Sequence, residues 1–380
     1  MSSEPYDEIL VYGQTPKDGA DRAKALQAAN LHSSKPMRAF NGSVGTSKSV
    51  YAGRTYVACA QHDKPILLVY SYAKDSAVQK IVLPETAECL AFSHSEQLLA
   101  VGTPGGKLLL WEVASGNCLF YREAHYQAVR AAVFSADDSL LVTAGGDGRI
   151  SSWRVLDLVT AAAGYRPVQP VASASQHSLA VTALAAGPGG DQRLYSCSDD
   201  RTLRVWDLRT LRAAQTAVFP ERLTSVALDP AERCVYVGCA DGRVFQLDLV
   251  GRAVGRAGAD VIEIDAVTHG QQAARPLHHH TAAVGGLAVS TDGTRLVSGS
   301  LDGRVHVWDT STQQVLRTVR TAGLPVYYVG VVAADLAPVR RPGLPVEKLR
   351  RAVDERAAAE HSAWVRPCGA ADDAHFARPL

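Results

Sequence analysis

One short string recurs through this chain at intervals that leave few folds open. Five stretches end in an alternating strand around a large apolar residue: Lys107-Leu-Leu-Leu-Trp-Glu, Arg149-Ile-Ser-Ser-Trp-Arg, Thr202-Leu-Arg-Val-Trp-Asp, Arg243-Val-Phe-Gln-Leu-Asp and Arg304-Val-His-Val-Trp-Asp. The marker positions are Trp111, Trp153, Trp206, Leu247 and Trp308; a weaker sixth copy, Pro65-Ile-Leu-Leu-Val-Tyr, ends at Tyr70. Successive markers stand 41, 42, 53, 41 and 61 residues apart, and four of the five Trp in the chain fall on this position. Each copy reads as four short strands. An apolar run such as Val129-Arg-Ala-Ala-Val-Phe leads into a turn such as Ser135-Ala-Asp-Asp or Ser290-Thr-Asp-Gly. A second strand such as Leu140-Leu-Val-Thr follows, then a tight turn and the marker strand. Asp147-Gly148, Asp241-Gly242 and Asp302-Gly303 supply the tight turn, because Gly accepts positive φ without a Cβ clash.

Three of the five gaps match the period of roughly 40–45 residues of WD-repeat propeller blades. The repeat therefore overrides the two or three domains that 380 residues would otherwise suggest. The expected fold is all-β, a seven-bladed WD-repeat β-propeller over residues 1–337. Six copies are recognisable, and the chain ends are expected to make the seventh. Glu8-Ile-Leu-Val-Tyr-Gly and Val326-Tyr-Tyr-Val-Gly-Val-Val both read as strands, and pairing them closes the ring and removes open sheet edges. Residues 14–34 carry no clear marker-type strand. Two gaps hold insertions. In 155–176, Leu156-Asp-Leu-Val-Thr-Ala-Ala-Ala-Gly reads as a short helix ending at Gly164. The 250–279 segment, rich in Gly, Ala and Arg, reads as a mobile loop leaving the rim. Residues 338–380 read as a Pro-rich linker and a short tail, with a helical stretch Val346–Glu360 whose Lys348, Arg350 and Arg351 form a solvated face.

Three copies carry a His, a hydroxyl, an Asp and a Trp at near-constant offsets. They are His125/Thr143/Asp147/Trp153, His177/Ser196/Asp200/Trp206 and His280/Ser298/Asp302/Trp308. A nucleophilic triad uses the same residue types, but a triad occurs once per site and this set recurs in register with the strands. It is read as a hydrogen-bonded network that fixes each blade, because buried polar atoms need partners. His278 and His279 are read as loop residues beside His280, since three adjacent imidazoles do not converge on one tetrahedral ion.

The rest of the sequence mostly excludes. Hydrophobic residues are 47% and charged residues 20%, enough for a large core. Lys plus Arg is 39 against 38 Asp plus Glu, which argues against a surface devoted to nucleic acid or anionic membrane. Arg201, Arg204, Arg243 and Arg304 recur beside blade turns, and repeat geometry explains them as well as RNA contact does. Seven Cys without a Cys-x-x-Cys pair read as reduced, intracellular thiols. The acidic, polar start lacks a signal-peptide core, and no apolar run is long enough for a bilayer. Phosphate-loop, His-Glu-x-x-His and Gly-x-Ser-x-Gly motifs are absent, and Gly102-Thr-Pro-Gly-Gly-Lys falls on a hairpin turn. No catalytic, cofactor or metal residue is assigned. Two exposed loop residues, Tyr126 and Gln127, join the insertions as candidate partner contacts.

Particular strings go beyond the generic repeat. They are Gly106-Lys-Leu-Leu-Leu-Trp-Glu-Val-Ala-Ser-Gly-Asn-Cys-Leu, Ala124-His-Tyr-Gln-Ala-Val, Trp153-Arg-Val-Leu-Asp-Leu-Val-Thr-Ala-Ala and Leu228-Asp-Pro-Ala-Glu-Arg-Cys-Val-Tyr-Val-Gly-Cys-Ala-Asp-Gly-Arg-Val-Phe-Gln-Leu-Asp-Leu. Val289-Ser-Thr-Asp-Gly-Thr-Arg-Leu-Val-Ser-Gly-Ser and Gln314-Val-Leu-Arg-Thr-Val complete the set. Through these, over roughly residues 50–335, the chain resembles the WD-repeat subunit of the Rix/Ipi pre-60S ribosome-maturation complex, the Ipi-three type, whose animal member is the WD-repeat protein eighteen. The resemblance implies a non-enzymatic scaffold in the nucleolus and nucleoplasm. Implied partners are a Rix-type helical-repeat scaffold, an Ipi-one-type subunit, the dynein-related AAA ATPase of ribosome assembly and the pre-60S particle. The implied role is processing of the second internal transcribed spacer and rotation of the 5S ribonucleoprotein, with a link to replication licensing. Family members continue into a long coiled-coil helix that pairs two copies. Here only Val346–Glu360 and no sustained heptads follow the propeller, which leaves pairing by that route open and suggests a truncated or mis-spliced end, or a different lineage. The competing reading from the fold is a generic adaptor, such as the substrate receptor of a ubiquitin ligase. An enzyme site in the central channel is a third reading, for which no residue cluster speaks.

Overall fold

In the computed structural model the described residues are 8–333, apart from 16–24, 34, 44–47, 55, 114, 161–167, 190–191, 250–259, 264–273 and 322. The expected tail 338–380, with its Val346–Glu360 stretch, lies outside them.

The chain opens with β1 (Glu8–Gln14), β2 (Leu26–Asn30) and β3 (Pro36–Phe40). Blade 2 follows as β4 (Val50–Ala52), β5 (Tyr56–Ala60), β6 (Ile66–Ser71) and β7 (Gln79–Val82). Blade 3 is β8 (Cys89–Phe92), β9 (Leu98–Gly102), β10 (Lys107–Glu112) and β11 (Cys118–Glu123). Blade 4 is β12 (Val129–Phe134), β13 (Leu140–Gly145), β14 (Ile150–Arg154) and, after the helix α1 (Val155–Thr160), β15 (Ala172–Ala174). Blade 5 is β16 (Val181–Ala186), β17 (Arg193–Ser198), β18 (Thr202–Asp207) and β19 (Ala213–Val218). Blade 6 has β20 (Leu223–Leu228), β21 (Cys234–Cys239) and β22 (Arg243–Asp248); β23 (Asp260–Glu263) and β24 (Ala274–His278) come next. Blade 7 is β25 (Val284–Val289), β26 (Arg295–Ser300), β27 (Arg304–Asp309) and β28 (Val315–Arg320), and the last strand is β29 (Val326–Ala333).

The inner strands β29, β4, β8, β12, β16, β20 and β25 touch in that order, and β25 returns to β29. Seven blades thus close a ring. Closure is made by the two ends of the described chain: β29 pairs antiparallel with β1 from Glu8↔Ala333 to Gln14↔Val326, giving the sheet order β29-β1-β2-β3. The expectation of a seven-bladed propeller closed by these two segments holds.

One packing rule explains the repeat. Each marker side chain leans on the preceding blade. Trp206 packs with Val142, Ala144 and Ile150 of blade 4, Trp308 with Ala227, Tyr236 and Val244 of blade 6, and Trp153 with Leu108, Leu110 and Phe120 of blade 3. Leu247 and Tyr70 follow suit against Val205 of blade 5 and Phe40 of blade 1. In blade 1 the register places Ala29 opposite Leu10, where other blades set Trp206 opposite Leu194. A methyl therefore fills the marker position, and Val297, Val305 and Val307 of blade 7 supply the bulk around it. That is why residues 14–34 give no aromatic signal.

The insertions depart from their reading in part. The helix is Val155–Thr160, with Val155 and Leu158 buried; Gly164 lies outside the described residues. The 250–279 segment is not simply a loop. β24 is the outer strand of blade 6, paired with β22 from Arg243↔His278 to Leu247↔Ala274, and β23 adds a parallel fifth strand to blade 5 beside β19. Backbone pairing to an open strand edge needs no apolar side chains, so composition could not signal it.

Candidate functional site: blade networks and channel mouth

The three polar sets assemble as hydrogen-bonded chains running inward from the turn. In blade 5, His177 Nδ1 lies 2.9 Å from Asp200 Oδ2, and its Nε2 lies 2.7 Å from Ser196 Oγ. Trp206 Nε1 donates to the same Ser196 Oγ at 2.8 Å. Blade 7 repeats this through His280, with 3.1 Å to Asp302, 2.8 Å to Ser298 and 2.8 Å from Trp308 to Ser298. Blade 4 repeats it through His125, with 3.3 Å to Asp147, 2.8 Å to Thr143 and 3.0 Å from Trp153 to Thr143. One tautomer satisfies every atom. The imidazole Nδ1–H donates to the carboxylate, the hydroxyl donates to Nε2, and the indole donates to the hydroxyl.

The carboxylates also hold the loops. Asp200 accepts from the backbone N–H groups of Ser178 and Thr202, Asp302 from Thr281 and Arg304, and Asp147 from Tyr126 and Arg149. Burial alone would raise the Asp200 carboxyl; hydrogen bonds from His177 and Thr202 reverse this and hold it well below the usual range. Burial lowers the imidazoles of His125 and His280. A hydroxyl that already accepts an indole N–H inside a blade is a structural member and offers no open face to a substrate.

The other blades show what replaces the set. In blade 3, Val101 stands where blade 4 has Thr143, because Trp111 pairs with Leu99 as Trp153 pairs with Leu141. Trp111 Nε1 is accordingly buried with no acceptor among the described residues. Blade 6 substitutes hydrocarbon, with Phe219 against Phe245 at 5.4 Å between ring centroids. The turns follow the Asp-Gly reading: Gly148, Gly242 and Gly303 have φ of 73°, 91° and 77°. In blade 5, Arg201 takes the equivalent place at φ 67°.

A fourth imidazole sits beside the blade 7 set. His306 Nδ1 is 2.9 Å from Thr318 Oγ1, and its ring centroid is 4.4 Å from that of His280 and 5.8 Å from that of His279. Its Nε2 is buried with no partner among the described residues. Burial, then the charges His280 and His279 would carry, brings it down to about 4. The unfolded chain therefore takes up a proton below about pH 6.5 that the fold refuses until about pH 4. Stability should fall across that window by up to on the order of 3 kcal/mol and gain no further slope from this group below it. Denaturant titrations at stepped pH check this, with His306→Phe expected to flatten the window.

The inner strands carry a second ring of equivalent positions that the offsets of the polar sets did not reveal. Where β12 bulges between Val129 and Ala131 the extra residue is Arg130; the bulges of β16, β20, β25 and β29 give Thr182, Thr224, Gly285 and Tyr327. The same strand position in blades 2 and 3 is Lys48 and Glu88. In blades 2 to 7 these residues stand 22 to 24 before their markers, and that near-constant offset is the signal that finds them. The ring lies on the network side of the propeller, at the mouth of the central channel. Thr182 and Thr224 seal neighbouring blades, their hydroxyls 2.8 Å from the Leu223 carbonyl and 2.6 Å from the Val284 carbonyl. Gly285 lets β29 approach, since a Cβ there would meet the Val326 carbonyl at 2.4 Å. Only Lys48, Glu88 and Arg130, on three consecutive blades, bring charge to the ring. Enclosure brings the Lys48 ammonium down to about 8, with the Glu88 carboxylate acting upward and Arg130 downward.

Tyr126 and Gln127 lie exposed on the loop that His125 anchors, Tyr126 at 87%. Arg204 and Arg243 are held within the fold by Gln176 and Asp241. Burial pushes the thiols of Cys59, Cys89 and Cys239 up to about 12, which leaves them unreactive.

Comparison with known proteins agrees with this architecture. The family model for the WD domain, G-beta repeat, matches residues 116–154, 168–207 and 271–309, which end in the marker strands of blades 4, 5 and 7. The chain is 34% identical over 355 residues to Pre-rRNA-processing protein IPI3 of Yarrowia lipolytica, covering 90% of this chain and 78% of that protein. Pre-rRNA-processing protein crb3/ipi3 of Schizosaccharomyces pombe is 29% identical, with 79% and 72% covered. WD repeat-containing protein 18 of Rattus norvegicus is 32% identical, with 83% and 72% covered. Identity of 34% over 90% of its length places this chain in the family of IPI3 pre-rRNA-processing proteins and WD repeat-containing protein 18.

Proposed function

We propose that this chain is a non-enzymatic scaffold for pre-rRNA processing and large-subunit biogenesis, working in the nucleolus and nucleoplasm as the WD-repeat member of a Rix/Ipi complex. The observation that carries the reading is the 34% identity to a pre-rRNA-processing protein over 90% of the chain. The blade chemistry supports it. Every Ser/Thr–His–Asp set is committed to internal hydrogen bonds, and what those bonds position is a ring of loops suited to holding partners. The propeller, residues 1–337, acts as one unit, and the tail 338–380 as an appendage to it. Partners on this reading are a Rix-type helical-repeat scaffold, an Ipi-one-type subunit and the dynein-related AAA ATPase, assembled on the pre-60S particle during processing of the second internal transcribed spacer. A role in replication licensing would be secondary.

Affinity purification of the tagged protein from nuclear extract, with mass spectrometry of what co-elutes, tests this. The Rix-type scaffold, the AAA ATPase and large-subunit ribosomal proteins are expected. A ubiquitin-ligase core, or no nuclear partner, would overturn it.

A further inference from the structure

The channel mouth carries charge on one side only. Lys48, Glu88 and Arg130 occupy consecutive places in a ring whose other four members are two Thr, a Gly and a Tyr. Arg130 is exposed, and the ring order sets Glu88 between it and Lys48. Next to this corner stand two exposed apolar side chains, Tyr126 at 87% and Leu179 at 53%. They flank one turn. A Cβ on Gly146 would lie 3.0 Å from Gln127 Oε1, and one on Gly148 would lie 3.0 Å from the Leu179 carbonyl. Both loops are pinned by the networks, through Asp147 to the N–H of Tyr126 and Asp200 to that of Ser178. The surface is therefore preformed, and little ordering entropy opposes its use.

The geometry points to a peptide-docking site at the channel mouth, in which an Asp or Glu side chain of a partner protein inserts between Lys48 and Arg130 while a neighbouring apolar side chain rests on Tyr126 and Leu179. The charge pattern favours an acidic peptide over RNA. A nucleic acid strand needs a track of cations, and this corner offers two with a carboxylate between them. A single inserted carboxylate needs only two donors, and an ammonium that has already lost part of its hydration is well prepared to bind one. Glu88 sits as a competitor for the same cations, and the two of them outweigh it.

The test is fluorescence anisotropy of the full chain with an array of labelled peptides, each carrying one Asp or Glu at varied spacing from a Leu. Peptides with Lys in place of the acid, and a single-stranded RNA decamer, serve as controls. Wild type should prefer acidic peptides. Arg130→Gln and Lys48→Met should each weaken the best binder by about tenfold. Glu88→Gln should tighten it several-fold, a gain that misfolding cannot imitate. Acidic peptides binding no better than the Lys controls would overturn the proposal. So would affinity unmoved by Arg130→Gln, or tighter binding of the RNA that the same substitutions abolish.

Discussion

Ending the chain at Pro325 is expected to abolish the folded monomer. This removes β29, the inner strand of the closing blade. With it go the ladder to β1 from Glu8 to Gln14 and the burial of Val326 and Val329 against Leu10, Tyr12, Val297, Val305 and Val307. Three consequences coincide. β1 gains an unpaired edge, the inner strands β25 and β4 lose the neighbour between them, and apolar side chains on both flanking blades meet water. Exposed strand edges with apolar faces pair between molecules. Size-exclusion chromatography should show aggregate, and far-UV circular dichroism should show no cooperative melt. A monodisperse monomer with a sharp transition would mean that six blades hold their shape unclosed. Val329→Asp asks the same question gently, since a buried unpaired carboxylate costs more than about 4 kcal/mol.

Asp200→Ala is expected to be the most damaging substitution among the polar sets. Asp200 accepts from His177 Nδ1 at 2.9 Å, Ser178 N at 3.2 Å, Thr202 N at 2.9 Å and Thr202 Oγ1 at 2.5 Å. Alanine strands all of these donors and frees His177 to lose the tautomer that Ser196 and Trp206 rely on. A loss of roughly 3–5 kcal/mol is expected, read from denaturant midpoints at pH 7. The wild-type pH profile gives a cross-check. A carboxyl whose folded pKa is depressed stabilises the fold fully above its unfolded value near 3.8 and loses that contribution as pH falls through it. The variant should therefore show a shallower decline below pH 4. An unchanged midpoint would refute the network reading outright.

Most of the architecture was legible because one side chain per blade does the same job. Trp111, Trp153, Trp206 and Trp308 bury an indole against the preceding blade, and that demand writes a period into the sequence. The polar sets were legible for the same reason, since a hydrogen-bonded chain fixes both residue types and spacing. Where the job is done by something small or by the backbone, the text goes silent. Ala29 holds a marker position without an aromatic ring, and β24 tolerates Pro276 because it is an outermost strand. The channel mouth was missed for a different cause. Its residue changes with the local task, charge at Lys48, Glu88 and Arg130, an inter-blade seal at Thr182 and Thr224 and close approach at Gly285, so only the offset from the marker repeats.

The join between β29 and β1 also sets a schedule. Gln14 leaves the ribosome 312 residues before Val326, its partner across the ladder. At a synthesis rate of about 5–20 residues per second, that separation lasts roughly 15–60 s. For that interval β1 is a finished strand beside a missing one, while six neighbouring blades can form and wait. Through that interval the nascent chain carries a sticky strand, and closing the ring requires β29 to reach back and cover it. A chaperone that binds apolar strands early and lets go late would suit this timing, whereas one acting only after release would meet a chain already exposed to its neighbours.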